Sequence, residues 1–226
     1  MSKNIKNLES MDAFFNERAD GYEEHMIKNV DGADKYYAIL AGLLPADRHI
    51  DLLDLGCGTG LEIDEIFLVN PDISVTGIDL SEAMMKILWK KYADKKIIKS
   101  LIKSDYFELE FGCSNYDAVV SVMSLHHFRS KKKISLYKKI FNCLRNGGIY
   151  IEADYMAPTQ EYEDYYFAEN NRIRVTQGIT EGFYHYDTPC TVSNQIGMLE
   201  SAGFQIIDNM WNCGNTTILK AVKERD

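Results

Sequence analysis

The chain is poor in paired cysteines and in long apolar runs, and each shortage excludes a class of protein. Its five cysteines are scattered, odd in number and form no CxxC pair, which argues against a disulfide framework and favours reduced thiols. No apolar run approaches the roughly 18 residues that cross a bilayer. The first seven residues, MSKNIKN, lack the apolar stretch of a signal peptide. We therefore expect a cytoplasmic protein with no membrane partner.

Positive charge is also scarce. The 226 residues carry 25 Lys and Arg against 34 Asp and Glu, a formal net charge of -9. Proteins that hold nucleic acid concentrate basic residues, because neutralising phosphates supplies most of their affinity. The basic run at Lys131 to Lys133 is typical of a solvated helix face. We expect no nucleic-acid partner, and a monomer or homodimer of one full-sized domain.

Short apolar runs alternate with helix-length segments from residue 49 onward, which predicts βαβ units and a parallel sheet. Residues 11–30 predict one amphipathic helix or two short ones, and residues 155–190 interrupt the alternation. A short loop between the last two strands predicts an antiparallel hairpin. The predicted strands are 49–55, 73–78, 96–102, 116–122, 149–153, 204–208 and 216–222; the later helices are 33–44, 59–69, 82–92, 130–144 and 192–202.

A glycine-rich corner, residues 54–60 (DLGCGTG), follows the first predicted strand. Glycines at such a corner let the backbone approach a ligand closely, and ligands of open α/β sheets lie beyond the carboxyl ends of the strands. The next strand ends in Asp79, whose carboxylate can accept hydrogen bonds from both hydroxyls of a ribose. The GxGxG spacing departs from the GxGxxG of dinucleotide dehydrogenases, and the GxxxxGK[ST] pattern of nucleotide triphosphatases is absent.

Residues 51–60, DLLDLGCGTG, resemble the first motif of class I S-adenosylmethionine (SAM)-dependent methyltransferases. Further segments resemble the family's later motifs in the same order, namely 77–81 (ribose), 104–107 (adenine), 116–121 (fourth strand) and 144–148 (the turn before the fifth strand). The resemblance implies SAM as the cofactor. It also implies an α/β, Rossmann-like, doubly wound, seven-stranded, mostly parallel sheet with an antiparallel C-terminal strand, a helical N-terminal cover and a helical insertion after strand 5.

The resemblance further implies one domain over 1–226. Its parts are a cover (1–45), a SAM-binding core (46–154), a substrate lid (155–190) and a C-terminal helix and β-hairpin (191–226). Two of the cofactor residues that it implies also have simpler explanations. Asp105 can form a turn, as aspartate often does after a strand, and Cys57 can be a small side chain that fills space. The implied cofactor-binding residues are Tyr22, Asp54, Gly56, Cys57, Gly58, Gly60, Asp79, Leu80, Asp105, Tyr106, Ser121, Val122 and Met123.

Candidate catalytic residues follow the fourth and fifth strands. His126 or His127 can act as a general base, because the unperturbed pKa of histidine lies near neutrality, and Asp154 can do so for a hydroxyl. Either histidine can instead be structural. A metal site would need ligands beyond these two histidines, and the sequence shows no clear set. We therefore predict no metal.

The segment after strand 5 is rich in tyrosine and carboxylates. Aromatic faces and carboxylates suit a cationic ligand, whereas Arg172 and Arg174 suit a carboxylate or phosphate. The same pattern is typical of an amphipathic lid helix with half-buried tyrosines. The predicted substrate-binding residues are Tyr155, Tyr162, Tyr166, Arg172 and Tyr184.

These features together favour transfer of a methyl group from SAM to N or O of a small molecule, by in-line displacement at the sulfonium methyl. Two alternatives stay open. One is an enzyme like the carboxy-SAM synthases of tRNA wobble modification, where an arginine such as Arg18, Arg172 or Arg174 would hold the added carboxylate. The other is a non-catalytic SAM-binding protein, for which a degraded glycine loop or a missing Asp79 is expected; the sequence has neither.

Overall fold

A computed structural model of the chain describes residues 7–224. Within them one sheet has the strand order β3-β2-β1-β4-β5-β7-β6. Neighbouring strands pair in parallel except at β7, which is antiparallel to both β5 and β6. The predicted sheet and its antiparallel C-terminal strand are confirmed. The strands are β1 (Ile50–Leu55), β2 (Ile73–Asp79), β3 (Ile98–Lys103), β4 (Tyr116–Val122), β5 (Leu144–Tyr155), β6 (Ile206–Cys213) and β7 (Thr216–Val222).

The helices begin and end largely where the sequence places caps. The Ser81 hydroxyl accepts a hydrogen bond from the Met84 amide at 3.2 Å, as an N-cap residue does, and Gly203 ends the last helix at a φ of 114°. No helix among the described residues is long and apolar enough to cross a membrane. The helices are α1 (Met11–Glu17), α2 (Tyr22–Asn29), α3 (Ala33–Gly42), α4 (Leu61–Val69), α5 (Glu82–Tyr92), α6 (Ser130–Cys143), α7 (Gln160–Thr176) and α8 (Val192–Ala202), with a 3₁₀ turn at Leu125–His127.

Two strand predictions were too short. Strand β5 begins at Leu144, directly after α6, because the glycines at 147 and 148 lie in an irregular first stretch of the strand instead of in a separate loop. Strand β6 continues to Cys213, because it pairs with β7 over that strand's whole length. As an edge strand, β6 tolerates the polar residues that made its second half look like a loop.

The sheet is buried on both faces, as its apolar strands predict. Leu52 and Val120 point to the face covered by α3, α4 and α5, whereas Leu53 and Val119 point to the face covered by α6 and α8. The connections change side between β1 and β4, where the strand order reverses. Such a reversal leaves a crevice at the carboxyl ends of the two central strands, which is where open α/β sheets bind ligands.

A pair of buried carboxyl groups lies beside this crevice. Asp54 at the end of β1 is fully buried and Glu62 in the first turn of α4 is 5% exposed. Burial, and then the charge of Glu62, raise the pKa of Asp54 well above its ordinary value, and burial raises the pKa of Glu62 to about 7. The two carboxyls are therefore stable together only when a proton is bound between them.

Replacing Glu62 with Gln tests this assignment. A carboxyl whose pKa rises on folding binds more protons in the folded state, so the free energy of unfolding falls between pH 4.5 and about 7. The variant Glu62→Gln lacks this pH-dependent contribution to the free energy of unfolding. Its stability relative to wild type is expected to increase by about 1–3 kcal/mol between acidic and neutral pH, measured by urea unfolding at both. Glu65→Gln on the same helix is the control, and a Glu62→Gln variant that follows the wild-type pH dependence would contradict the assignment.

Candidate active site

The glycine loop has the backbone conformation that only glycine adopts easily. Gly56, Gly58 and Gly60 have φ values of 80°, 46° and 78°, and a Cβ at Gly56 would collide with the Ser124 side chain. The Gly58 amide donates to Asp79 Oδ2 at 2.9 Å. The carboxylate of Asp79 therefore ties the loop after β1 to the end of β2.

A narrow cavity of about 60 Å³ lies between this loop, Asp79 and the end of β4. At its edge the Tyr106 hydroxyl hydrogen-bonds to the Ser124 hydroxyl at 3.0 Å. Eight predicted cofactor residues line this cavity, namely Tyr22, Gly56, Gly58, Asp79, Leu80, Tyr106, Val122 and Met123. His127, predicted as a catalytic residue, also lines it, whereas the sequence analysis missed Met11, Phe15, Met84, Ser124 and Phe128, because these residues are apolar or small and carry no motif.

The other predicted cofactor residues, Asp54, Cys57, Gly60, Asp105 and Ser121, lie outside the lining. Asp105 Oδ1 accepts a hydrogen bond from the Phe107 amide at 2.8 Å, which is the turn-forming alternative. Ser121 points to the face of the sheet opposite to that of Val122, because side chains alternate along a strand. Its hydroxyl hydrogen-bonds to the Tyr150 hydroxyl at 2.7 Å.

The thiol of Cys57 is a filler in this arrangement. It faces the backbone of β2, where a Cβ added at Gly77 would lie 2.7 Å from the sulfur. Burial, and then the charge of Asp79, raise the pKa of the thiol well above its ordinary value. A protonated, buried thiol is unreactive, so Cys57 shapes the loop without chemistry of its own.

Unpartnered buried acceptors beside the loop fit a positively charged ligand. No N–H group donates to either oxygen of Asp54, to one oxygen of Glu62 or to the Thr59 hydroxyl. Buried polar atoms are normally paired, so these atoms call for donors. Asp54, Glu62 and Thr59 lie outside the lining of the narrow cavity, whereas Asp79 lines it and can accept the hydroxyls of the SAM ribose. The residues present therefore fit SAM.

The N-terminal helices cover the crevice and are pinned to it. Asn16 Oδ1 accepts hydrogen bonds from the Ser81 hydroxyl at 2.9 Å and the Ala83 amide at 3.1 Å. The cover also pairs with the insertion, because the Met11 amide donates to the Phe183 carbonyl at 3.0 Å. Cover and insertion thus close over the site together.

A second cavity of about 760 Å³ adjoins the narrow one. Phe15, Tyr22, Met123 and His127 line both, so these four residues form the shared wall. Met123 directly follows β4 and has a φ of 47°, a conformation that residues other than glycine rarely adopt. Such strain is tolerated where a side chain must be aimed at a site.

His126 and Asp154, both predicted as catalytic, form a buried pair in the wall of this larger cavity. His126 Nδ1 lies 2.5 Å from Asp154 Oδ1, while Asp154 Oδ2 accepts from the Leu125 amide at 2.8 Å. Burial alone would lower the pKa of His126, but the charge of Asp154 and this hydrogen bond outweigh it and raise that pKa. The pair fixes the imidazole ring with Nε2 on the cavity side.

Asp187 joins the two histidines, and the sequence analysis missed it. Its Oδ1 lies 3.2 Å from His127 Nδ1 and 3.6 Å from His126 Nε2. The contacts with both histidines outweigh burial and hold the pKa of Asp187 well below its ordinary value. The sequence contains one indication of this residue, because Asp187 is an acidic residue two positions after His185 in a segment without periodicity.

The predicted substrate-binding residues lie in different parts of the structure. Tyr155 lines the larger cavity, and its hydroxyl bonds to that of Tyr162 at 2.6 Å. Tyr162 in turn stacks on Tyr166 with ring centroids 4.5 Å apart, as expected for an amphipathic lid helix. Arg172 instead pairs with Glu169 on the surface, and Tyr184 lines a separate cavity with Arg174.

Comparison with known proteins agrees with this geometry. Residues 52–148 match the family model of a methyltransferase domain. Among curated relatives, the carboxy-S-adenosyl-L-methionine synthase of Campylobacter curvus is 28% identical over 200 residues, covering 82% of this chain and 81% of that protein. The enzyme of the same name from Campylobacter fetus is 34% identical over 113 residues, covering 50% of this chain and 46% of the relative.

Solved structures share the fold. Phosphoethanolamine N-methyltransferase 2 of Haemonchus contortus, in complex with SAM, superposes with a TM-score of 0.69 at 16% identity, covering 96% of this chain; the chain spans 61% of that protein. A SAM-dependent methyltransferase of Methanosarcina mazei has a TM-score of 0.62 at 17% identity, covering 83% of this chain and 98% of the other. With the glycine loop, Asp79 and the matched domain, these similarities mark a SAM-using enzyme. The chain thus resembles class I SAM-dependent methyltransferases in its motifs and its fold, and residues 52–148 match a methyltransferase domain.

Proposed function

We propose that the chain transfers the methyl group of SAM to a nitrogen or oxygen atom of a small molecule in the larger cavity. The observation that carries this proposal is the wall that the two cavities share at Tyr22 and Met123. A volume of about 760 Å³ lies within the range of about 300–1,000 Å³ of small-molecule sites. An acceptor there would reach the cofactor across that wall.

Positioning accounts for most of the chemistry. SAM supplies an electrophilic methyl group when it is bound. Asp79 and the glycine loop would hold the nucleoside part, so that the methyl-bearing end lies at Met123. Tyr22 and Phe15 of the cover would exclude water from that end. Aligning an acceptor with a preset electrophile removes much of the entropic cost of a bimolecular reaction.

The lining of the larger cavity favours a basic acceptor. Its carboxylates are those of Glu17, Asp20, Asp31 and Asp187, against the single guanidinium of Arg18 among the residues lining it. Rings of phenylalanine and tyrosine complete the wall and can stabilise a cation through their faces. A small amine, or a hydroxyl compound that carries an amine, matches this charge pattern better than an anion.

A second candidate is a carboxy-SAM synthase, the name that the Campylobacter relatives carry. The sequence analysis required an arginine that could hold the added carboxylate. Arg18 lines the larger cavity, but both Glu9 oxygens accept from its guanidinium, at 2.9 and 3.0 Å. Arg172 and Arg174 lie outside this lining. Methyl transfer is therefore better supported.

If Asp79 binds the ribose of the cofactor, replacing Asp79 should weaken cofactor binding. Replacing it with Asn removes the charge from two ribose hydrogen bonds, each worth about 1.5–3 kcal/mol when one partner is charged. Asp79→Asn should weaken binding of S-adenosylhomocysteine by about 10- to 100-fold in calorimetry, and the exposed control Asp94→Asn should bind like wild type. Unchanged affinity in Asp79→Asn, or no binding by folded wild-type protein, would refute the assignment.

The acceptor class is tested by following the methyl group. Wild-type protein is incubated with SAM carrying an isotopically labelled methyl and with separated small-molecule, RNA and protein fractions of a cell extract. We expect label in the small-molecule fraction, bound to N or O by NMR. Label confined to RNA or protein would overturn the proposal. Mass spectrometry of co-purified ligand separates the second candidate, since carboxy-SAM in place of SAM or S-adenosylhomocysteine would favour the synthase.

A further inference from the structure

Three potential metal ligands converge in the wall of the larger cavity. His126, His127 and Asp187 each offer one donor atom, and these atoms lie within 4.8 Å of one another. Asp187 Oδ1 is 3.2 Å from His127 Nδ1 and 3.6 Å from His126 Nε2. Donors bound to one ion at about 2.0–2.2 Å are themselves roughly 3.0–3.5 Å apart. The spacing in the structure is close to that of a metal site.

The ring orientations agree with this reading. Metal-binding histidines commonly donate their second ring N–H to a carboxylate, and His126 makes that contact through Nδ1 with Asp154 at 2.5 Å. When His126 is neutral, its Nε2 carries a lone pair on the side of Asp187, 3.6 Å away. His127 Nδ1 is buried and has no hydrogen-bond partner, because Asp187 is near but out of line for a hydrogen bond. A cation between the three residues would satisfy both nitrogens.

The charge balance around the cluster also favours a cation. Two carboxylates, Asp154 and Asp187, flank the two imidazoles. The guanidinium of Arg18 in the same cavity is held by Glu9 and pairs with neither of these carboxylates.

We propose that His126 Nε2, His127 Nδ1 and the Asp187 carboxylate bind a divalent transition-metal ion such as Zn²⁺ or Fe²⁺. Imidazole suits these ions, and two histidines with one carboxylate leave coordination positions open. In the larger cavity the ion would bind a hydroxyl oxygen of the acceptor and lower its pKa, so that the proton would pass to solvent and the oxygen would take the methyl group from SAM, with S-adenosylhomocysteine as the leaving group. That last role rests on the proposed function, whereas the metal binding itself does not.

The sequence alone predicted no metal because Asp187 lies 60 positions after His127, in a segment without periodicity. Only the fold brings this carboxylate to the two histidines. Asp154 has a positioning role in this site, since it holds the ring of His126 without reaching the ion.

The test uses the full chain, stripped with a chelator and titrated with Zn²⁺ in a calorimeter and with Co²⁺ in an absorption spectrometer. We expect one equivalent of each ion to bind wild type, with visible d–d bands for Co²⁺. Asp187→Asn should abolish this binding, and Asp154→Asn should weaken it by about 10- to 100-fold. The control is His49→Gln, which alters an exposed His–Asp pair of 2.8 Å elsewhere on the surface and should bind like wild type.

A loss of metal binding can be distinguished from a loss of folding. The Asp187 side chain is 44% exposed, so Asp187→Asn should still fold, as circular dichroism would show, and His127→Gln is a second variant with the same expected loss of metal binding. Metal bound by the exposed thiols of Cys113 and Cys213 would persist in Asp187→Asn and is subtracted by that comparison. Absence of Co²⁺ bands in wild type, or binding undiminished in Asp187→Asn, overturns the metal site. Affinity for S-adenosylhomocysteine, measured on the same samples, reports separately on the proposed function.

Discussion

The reversal of strand order between β1 and β4 is the constraint on which the site depends. At this reversal the connections leave the sheet on opposite faces, so neither connecting helix blocks the carboxyl ends of the two central strands. The glycine loop after β1 and the turn after β4 therefore face each other across a crevice. Asp79 from β2 and Asp154 from β5 border it because their strands are the next neighbours on each side.

Buried charge is concentrated around this crevice, and it has a cost in stability. Both oxygens of Asp54 and one oxygen of Glu62 sit beside the loop without an N–H donor, although buried ionisable groups are normally paired. On the other face, Glu152 accepts hydrogen bonds from Tyr137 at 2.9 Å and from Gln195 at 2.5 Å. That network anchors β5 two residues before Asp154. The unpaired carboxyls belong to the cofactor side and the paired one to the scaffold, as expected where function opposes stability.

The sequence predicts those parts of the site that depend on local rules. The glycine-rich corner after β1 and the acidic end of β2 each follow from a few neighbouring residues, and the structure has both. The face of Ser121 depends on strand register, and the place of Asp187 depends on how an aperiodic segment folds back over the sheet. Neither is encoded by a short pattern, so the larger cavity could not be predicted from the sequence.

The central claim is that the crevice holds SAM with its reactive end against the larger cavity. A crystal structure of the chain with S-adenosylhomocysteine tests it directly. The account predicts ribose hydroxyls on the Asp79 carboxylate and the sulfur beside Met123, at the wall that the two cavities share. A ligand whose ribose lies away from Asp79, or whose sulfur faces away from the cavity of His126 and Asp187, would contradict it.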